Sequence, residues 1–236
     1  MDVGQISSNA IKYPFTDFSK ILILGIFLIL SFLIIPGFLY LGYLFRTLKA
    51  SVAGLDELPE FGEWGEMFID GLKVFVVLLV YSIVPLTLII IGIWASLIPI
   101  IATSNTVLAE LPTISFGLIS SFSIIGSILG IIISFFIPVI MANMAYYGEL
   151  KYAFKFNELF QKISEIGWVD YLIWFIVMLI IWTVTATVAF IMIFPLIIGV
   201  LLVPLVIYPY MMLFFARSTA LIYVYGGADD YLKSSL

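Results

Sequence analysis

The chain has no cysteine and no histidine. The first absence excludes disulfides, thiol nucleophiles and thiolate metal sites, and the second removes the side chain that most often moves protons near neutral pH. Charge is scarce as well, at 11% of 236 residues. It vanishes altogether from residues 21–45, 74–109, 111–148 and 171–216. Acids outnumber bases to give a net charge of −5, which argues against nucleic acid as a partner. No phosphate-binding loop, nucleophile–base pair or metal-ligand spacing is present, so the sequence points to no enzyme and to no cofactor.

What the chain does have is apolar surface, 64% of its residues. A soluble domain of this length cannot hide so much of it. Each uncharged run reaches the roughly 20 residues that carry a helix across about 30 Å of hydrocarbon. None shows the alternation of barrel strands, and backbone in lipid must pair within its own segment or in a closed barrel. The expected fold is therefore all-α: a polytopic integral membrane helical bundle, multi-pass in the cell membrane, with lipid as its first partner. The opening apolar run starts near Ile21, behind Asp2, Lys12, Asp17 and Lys20, and is too long for the core of a signal peptide.

Basic residues set the expected orientation, because Lys and Arg concentrate in cytoplasmic loops. Arg46, Lys49 and Lys73 mark one charged loop, Lys151, Lys155 and Lys162 a second, and Lys12, Lys20, Arg217 and Lys233 the two ends. A turn at Ile35-Pro36-Gly37 would make residues 21–53 a helical hairpin and bring all of them to one side, both termini included. The alternative is a single crossing that strands Lys12 and Lys20 outside. The hairpin gives six membrane helices, near 20–35, 37–53, 72–102, 113–150, 168–193 and 198–225, with kinks expected at Pro85, Pro138, Pro204 and Pro209. The organisation is one transmembrane domain over 1–236. A cytoplasmic segment 1–19 leads into a first half, 20–102, then a second half, 113–225, and a tail, 226–236.

The densest carboxylates lie in an odd place. Residues 58–73 read LPEFGEWGEMFIDGLK. As a helix near 59–72, this stretch places Trp64, Phe68, Phe61, Leu72, Gly65 and Ile69 on one arc and Glu60, Glu63, Glu66 and Asp70 on the other, with Met67 the one intruder. Such a helix rests in the interface with its aromatics down and its acids in water. A hard-cation site and a docking point for a basic partner are the alternatives. The second charged loop repeats the plan: Asn157 caps a short helix in which Leu159, Ile163 and Ile166 form a stripe and Glu158 precedes Lys162 by one turn. The echo suggests a parallel two-fold internal repeat.

Several of these stretches carry a family resemblance. Tyr13-Pro14-Phe15-Thr16-Asp17, Gly42-Tyr43-Leu44-Phe45-Arg46, Leu58-Pro59-Glu60-Phe61, Trp64-Gly65 and Phe68-Ile69-Asp70-Gly71-Leu72-Lys73 form a first signature. Pro138, Ala142, Gly148-Glu149-Leu150 and Ala153-Phe154-Lys155-Phe156 form a second. Together they resemble a family of prokaryotic, largely archaeal membrane proteins known only as a domain of unknown function. That family is distantly similar to the membrane domain attached to some glycerophosphodiester phosphodiesterases. Its members carry an acid where Gly62 stands here. The resemblance implies a membrane fold and no activity.

Candidate residues follow from position. Arg217 is the only charge between Asp170 and Asp229, and an intramembrane arginine is a functional-site hypothesis by default. Snorkelling, an internal ion pair with Glu149, and contact with a headgroup or ligand are its alternatives. Glu63, Glu66, Asp70 and Glu149 are the acids of the rim. Gly126, Gly130 and Ser134 form a small-residue ridge suited to packing within the chain or to a homo-oligomer. Asn105, with Ser104 and Thr106, is expected in an extracytoplasmic connector. Asn143 is expected to bond a neighbouring helix, and Thr183, Thr185 and Thr187 to bond back to their own. The function expected is a non-enzymatic one, organising the envelope or binding another membrane protein. The alternative is a transporter or channel for a small or lipidic solute.

Overall fold

A computed structural model of the chain describes residues 3–102, 111–193 and 197–225. Those residues are helical almost throughout, with no strand among them. Helix α1 (Val3–Lys12) buries Ile6 and Ala10 on one side and passes into a 3-10 turn at Tyr13–Thr16, opened by Pro14. Asp17 then caps α2 (Phe18–Ile29), its carboxylate accepting from the Ser19 amide at 3.0 Å. The two segments meet at 84°, so the N-terminal stretch contains a helix lying across the start of the next one. Composition does not announce it, because two buried apolar residues make a weak signal.

A second 3-10 turn, Leu30–Leu33, brings the chain to Ile34, whose φ of +65° reverses its course into α3 (Ile35–Val52). Lys20, at the start of α2, and Tyr43, midway along α3, bond to neighbouring carbonyls at Leu58 and Pro59. The two helices therefore run in opposite senses. The turn sits just before Pro36, which opens α3 because its missing N–H is one the first helical turn cannot use.

The long helices follow. α4 spans Trp64–Ala102 and α5 spans Leu111–Tyr147, with Pro138 inside it. A 3-10 turn (Leu150–Phe154) and α6 (Phe156–Ile166) lead to α7 (Trp168–Ile193). The last apolar run is broken into α8 (Ile197–Leu202), a π-helical turn (Val203–Ile207) around Pro204, and α9 (Tyr208–Tyr225). Among the described residues, four helices are long and apolar enough to cross a membrane: Trp64–Ala95, Ser121–Tyr147, Trp168–Met192 and Gly199–Val224. A fifth is added if the bent pair Val3–Thr16 and Phe18–Leu33 acts as one span. Neither arm of the α2–α3 hairpin qualifies alone.

The chain divides into two compact units, Met1–Phe75 with Pro138–Leu236, and Val76–Ile137. In the first, helices meet through glycine. A Cβ on Gly42 would fall on the Met67 carbonyl oxygen, one on Gly71 on that of Phe38, and one on Gly25 on that of Leu205. Trp174 of α7 donates to Ser218 Oγ of α9 at 2.8 Å, and both are buried. In the second unit Gly126 takes α5 against α4, where an added Cβ would lie 2.8 Å from Ile89 and 2.9 Å from the Pro85 carbonyl. Gly130 meets Pro85 at an ordinary 3.9 Å. Ser134 is exposed and donates to Ile131 O at 2.7 Å, so it lies outside that contact.

Three expectations are corrected. No helix covers 59–72: residues 53–63 are irregular, and α4 begins at Trp64. Nor does Asp70 stand in water with the other acids. Met67, the apparent intruder, is fully buried with Asp70 and Gly71, while Trp64, Ile69 and Leu72 are exposed. The close approach at Gly42 and Gly71 decides the rotation, since only the Met67–Gly71 side is slim enough to meet α3. Asn157 lies inside α6 rather than capping it, although Leu159, Ile163 and Ile166 are its buried stripe as expected. The two charged loops are thus built differently. Asn105 with Ser104 and Thr106, and the tail 226–236, lie outside the described residues.

Candidate functional site

The acid-rich stretch is not a solvated helix face but a strap held by its backbone. Its irregular residues leave carbonyls that no helix satisfies, and an unpaired buried carbonyl is costly. Side chains from three directions supply the donors. Tyr13 donates to Glu57 O at 3.0 Å, Lys20 to Leu58 O at 2.9 Å, and Tyr43 to Pro59 O at 2.9 Å. Arg46 donates to Gly62 O at 2.7 Å and to Glu63 O at 3.1 Å, holding Glu63 in a left-handed conformation at φ +47°. Arg217 closes the series from α9.

Arg217 is the centre of this arrangement. Its guanidinium donates to Asn9 Oδ1 at 3.0 Å, to Leu55 O at 2.7 Å and to the Asp56 carboxylate, while lying 4.8 Å from the Tyr13 ring centroid. One planar fork therefore ties together α1, the strap and α9, using the several donors and the flat face that distinguish arginine from lysine. The ion pair expected with Glu149 does not form. Glu149 pairs with Lys151 at 2.6 Å, five residues before α6, and the acid that answers Arg217 is Asp56.

The charges have a consistent polarity. In Arg217–Asp56, Lys20–Glu60 and Arg46–Glu63 the basic side chains are 3%, 9% and 15% exposed, and their acids 81%, 88% and 74%. The bases are turned inward to hold carbonyls and the acids stand in water at the edge. Asp70 reverses the pattern. It is buried at 6% exposure between Lys49, at 2.7 Å, and Lys73, at 3.1 Å. Glu66 is exposed on the first turn of α4. The four acids singled out by sequence thus do not converge, and among the described residues no three Asp or Glu side chains are grouped as a metal ion requires.

A second polar cluster lies where α5, α6 and α9 end. Asn143 donates to Tyr152 O at 2.9 Å and accepts from Tyr223 at 2.7 Å, which meets the expectation that it bonds a neighbouring helix. Tyr147 stacks on Tyr152 at 3.9 Å, and Lys155 stands 4.0 Å above the Tyr152 ring. Lys155 also gives 2.6 Å to Glu158, which raises its pKa above the ordinary lysine value. The Glu158–Lys162 pair expected along α6 is replaced by Lys155–Glu158 and by Lys162–Glu165 at 3.3 Å. Thr183 and Thr187 bond back to Leu179 O and Thr183 O, each at 2.8 Å.

The profile of a protein family described as "Protein of unknown function (DUF4013)" matches residues 23–194, well over half of the chain. The chain belongs to this family. No curated protein and no solved structure matches it. The matched region contains most of the hairpin, the strap, α4 to α7 and both charged loops, but not Arg217. The residues to which sequence reasoning gave no role are Asn9, Tyr13 and Asp56. Their only signal is indirect: a buried arginine needs acceptors, and no pattern along the chain says that two of them lie more than 160 residues away.

Proposed function

We propose that this chain is a non-catalytic membrane protein that binds a partner at the water-facing edge of its bundle and so helps to organise the envelope. One observation supports the reading above others. In three ion pairs of the strap the base is consumed in holding backbone while the acid stays in water. The result is an anionic rim on a rigid support, able to receive a basic segment of another protein without unfolding anything. Chemistry of a hydrolytic or transfer kind has no comparable support, because the buried donors are already occupied by carbonyls. Both charged loops and both termini face the cytoplasm in this reading, as the distribution of lysine and arginine favours. The likeness to the membrane domain of glycerophosphodiester phosphodiesterases brings no activity with it.

The test is capture from native membranes after crosslinking, with wild type beside Glu60→Lys/Glu63→Lys/Glu66→Lys. A partner recovered with wild type and lost with the triple variant supports the proposal, provided the variant keeps its melting temperature. Repeated capture of no partner removes it. A second reading, passage of a small or lipidic solute, is favoured by the π-turn around Pro204, since such bulges gather at functional positions. Proteoliposome flux and lipid-scrambling measurements decide that one, and flat traces across ions, small solutes and labelled lipids would end it.

A further inference from the structure

The ends of α5, α6 and α9 line an open-sided cavity of about 360 Å³, within the size range of pockets that take small ligands. Tyr146, Tyr147 and Tyr223 supply its aromatic wall: Tyr146 lies 5.0 Å from Tyr147 and 5.9 Å from Tyr223, centroid to centroid. Glu158 and Glu165 of α6 supply negative charge. One oxygen of Glu158 takes the Lys155 ammonium, and the other is buried with no hydrogen-bond partner among the described residues. The chemistry of the box is already displayed by the protein itself. Lys162 Nζ sits 4.9 Å from the centroid of the Tyr223 ring while pairing with Glu165.

We propose that this cavity is a binding site for an organic ammonium ion, carried by a lipid headgroup or by a free amine, with Lys162 as a built-in competitor. Ring faces attract a cation through their quadrupole, and a carboxylate at the same place adds direct charge, so the pairing selects soft ammonium groups over strongly hydrated metal ions. The floor is rigid, because Tyr223 is fixed by its bond to Asn143 and Asn143 in turn by Tyr152 O. The Lys162 side chain is 23% exposed, so it keeps a path to solvent. Its long stem lets the ammonium swing out when another cation arrives.

The competitor makes the test unusual, since deleting a cation should improve binding. Purified full-length protein is titrated with tetramethylammonium chloride, against sodium chloride at equal ionic strength, and binding is followed by calorimetry and by the shift in melting temperature. Wild type is expected to bind saturably, Lys162→Met to bind several-fold more tightly, and Glu165→Gln/Tyr146→Leu about tenfold more weakly, the scale of a lost cation–π contact with its ion pair. Both altered positions of the double variant are exposed, so folding should survive, and its melting temperature without ligand checks this. Nanodiscs separate the two sources. Phosphatidylethanolamine discs that suppress the response seen in phosphatidylglycerol discs identify a headgroup, and equal responses identify a free amine. A response to tetramethylammonium no larger than to sodium, or a Lys162→Met variant that binds no better than wild type, overturns the proposal.

Discussion

At the scale of single residues, the polarity of the strap makes unequal predictions for the two halves of one ion pair. Arg217→Ala removes the donors to Asn9, Leu55 and Asp56 together with a buried stem and its contact with the Tyr13 ring, so it should cost about 1–3 kcal/mol, read as a clear fall in melting temperature in detergent. Asp56→Asn should cost less than about 1 kcal/mol, because that carboxylate is largely solvated and water replaces its partner. Equal losses from the two would contradict the arrangement. Arg217→Lys should recover only part of the stability, since one ammonium cannot serve three acceptors and the ring of Tyr13. Asp17 gives a pH dependence. Its bonds to Ser19, backed by the charge of Lys20, hold its carboxyl below the ordinary aspartate value. A depressed folded pKa means that the stabilisation is complete above the unfolded value and fades as pH falls through the folded one. Helix content of α2 should therefore loosen in acid, and Asp17→Asn, which still caps, should flatten that response.

At the scale of elements, close helix approach rests on a few glycines, and the structure separates those that matter from those that do not. Gly42→Ala or Gly71→Ala would drive a methyl group into a carbonyl of the facing helix, and each should cost about 1–3 kcal/mol or block folding. Gly65→Ala meets nothing within 4 Å and should leave the melting temperature unchanged or slightly raised. The long helices were legible in the sequence because an uncharged run of this length has few other fates, and α7 matches its expected limits of 168–193. The stretch 58–73 was not. Its period is genuinely helical, but a wheel reports only which residues share a side, never which side finds a neighbour. Gly71, placed on neither arc, chose the buried face. Asp70 was likewise read as wet because it is charged, whereas Lys49 and Lys73 make its burial affordable.

At the scale of the molecule, the absence of cysteine becomes an experimental asset. Single cysteines at position 63 and position 155, introduced into an otherwise thiol-free chain, should react with a membrane-impermeant maleimide from the same side of sealed vesicles. Reaction from opposite sides would reject the common orientation of the two charged loops. The fold class was written in composition, and the site was not. Arg217, Asn9 and Asp56 are brought together only when α1 crosses the end of the bundle, a step that no local pattern encodes.

The hairpin of α2 and α3 carries a last implication. Tyr43 lies at the level of the strap, and about eight residues of helix separate it from the reversal at Ile34, roughly 12 Å at 1.5 Å per residue. Four consecutive greasy residues, Phe32 to Ile35, stand exposed at that tip; with the strap at the water boundary, the tip would end short of the far side of a film about 30 Å thick. An insertion that stops there displaces acyl chains from one monolayer and not the other. The two monolayers then contain unequal amounts of protein, and the sheet around each copy should prefer to bow toward the fuller one.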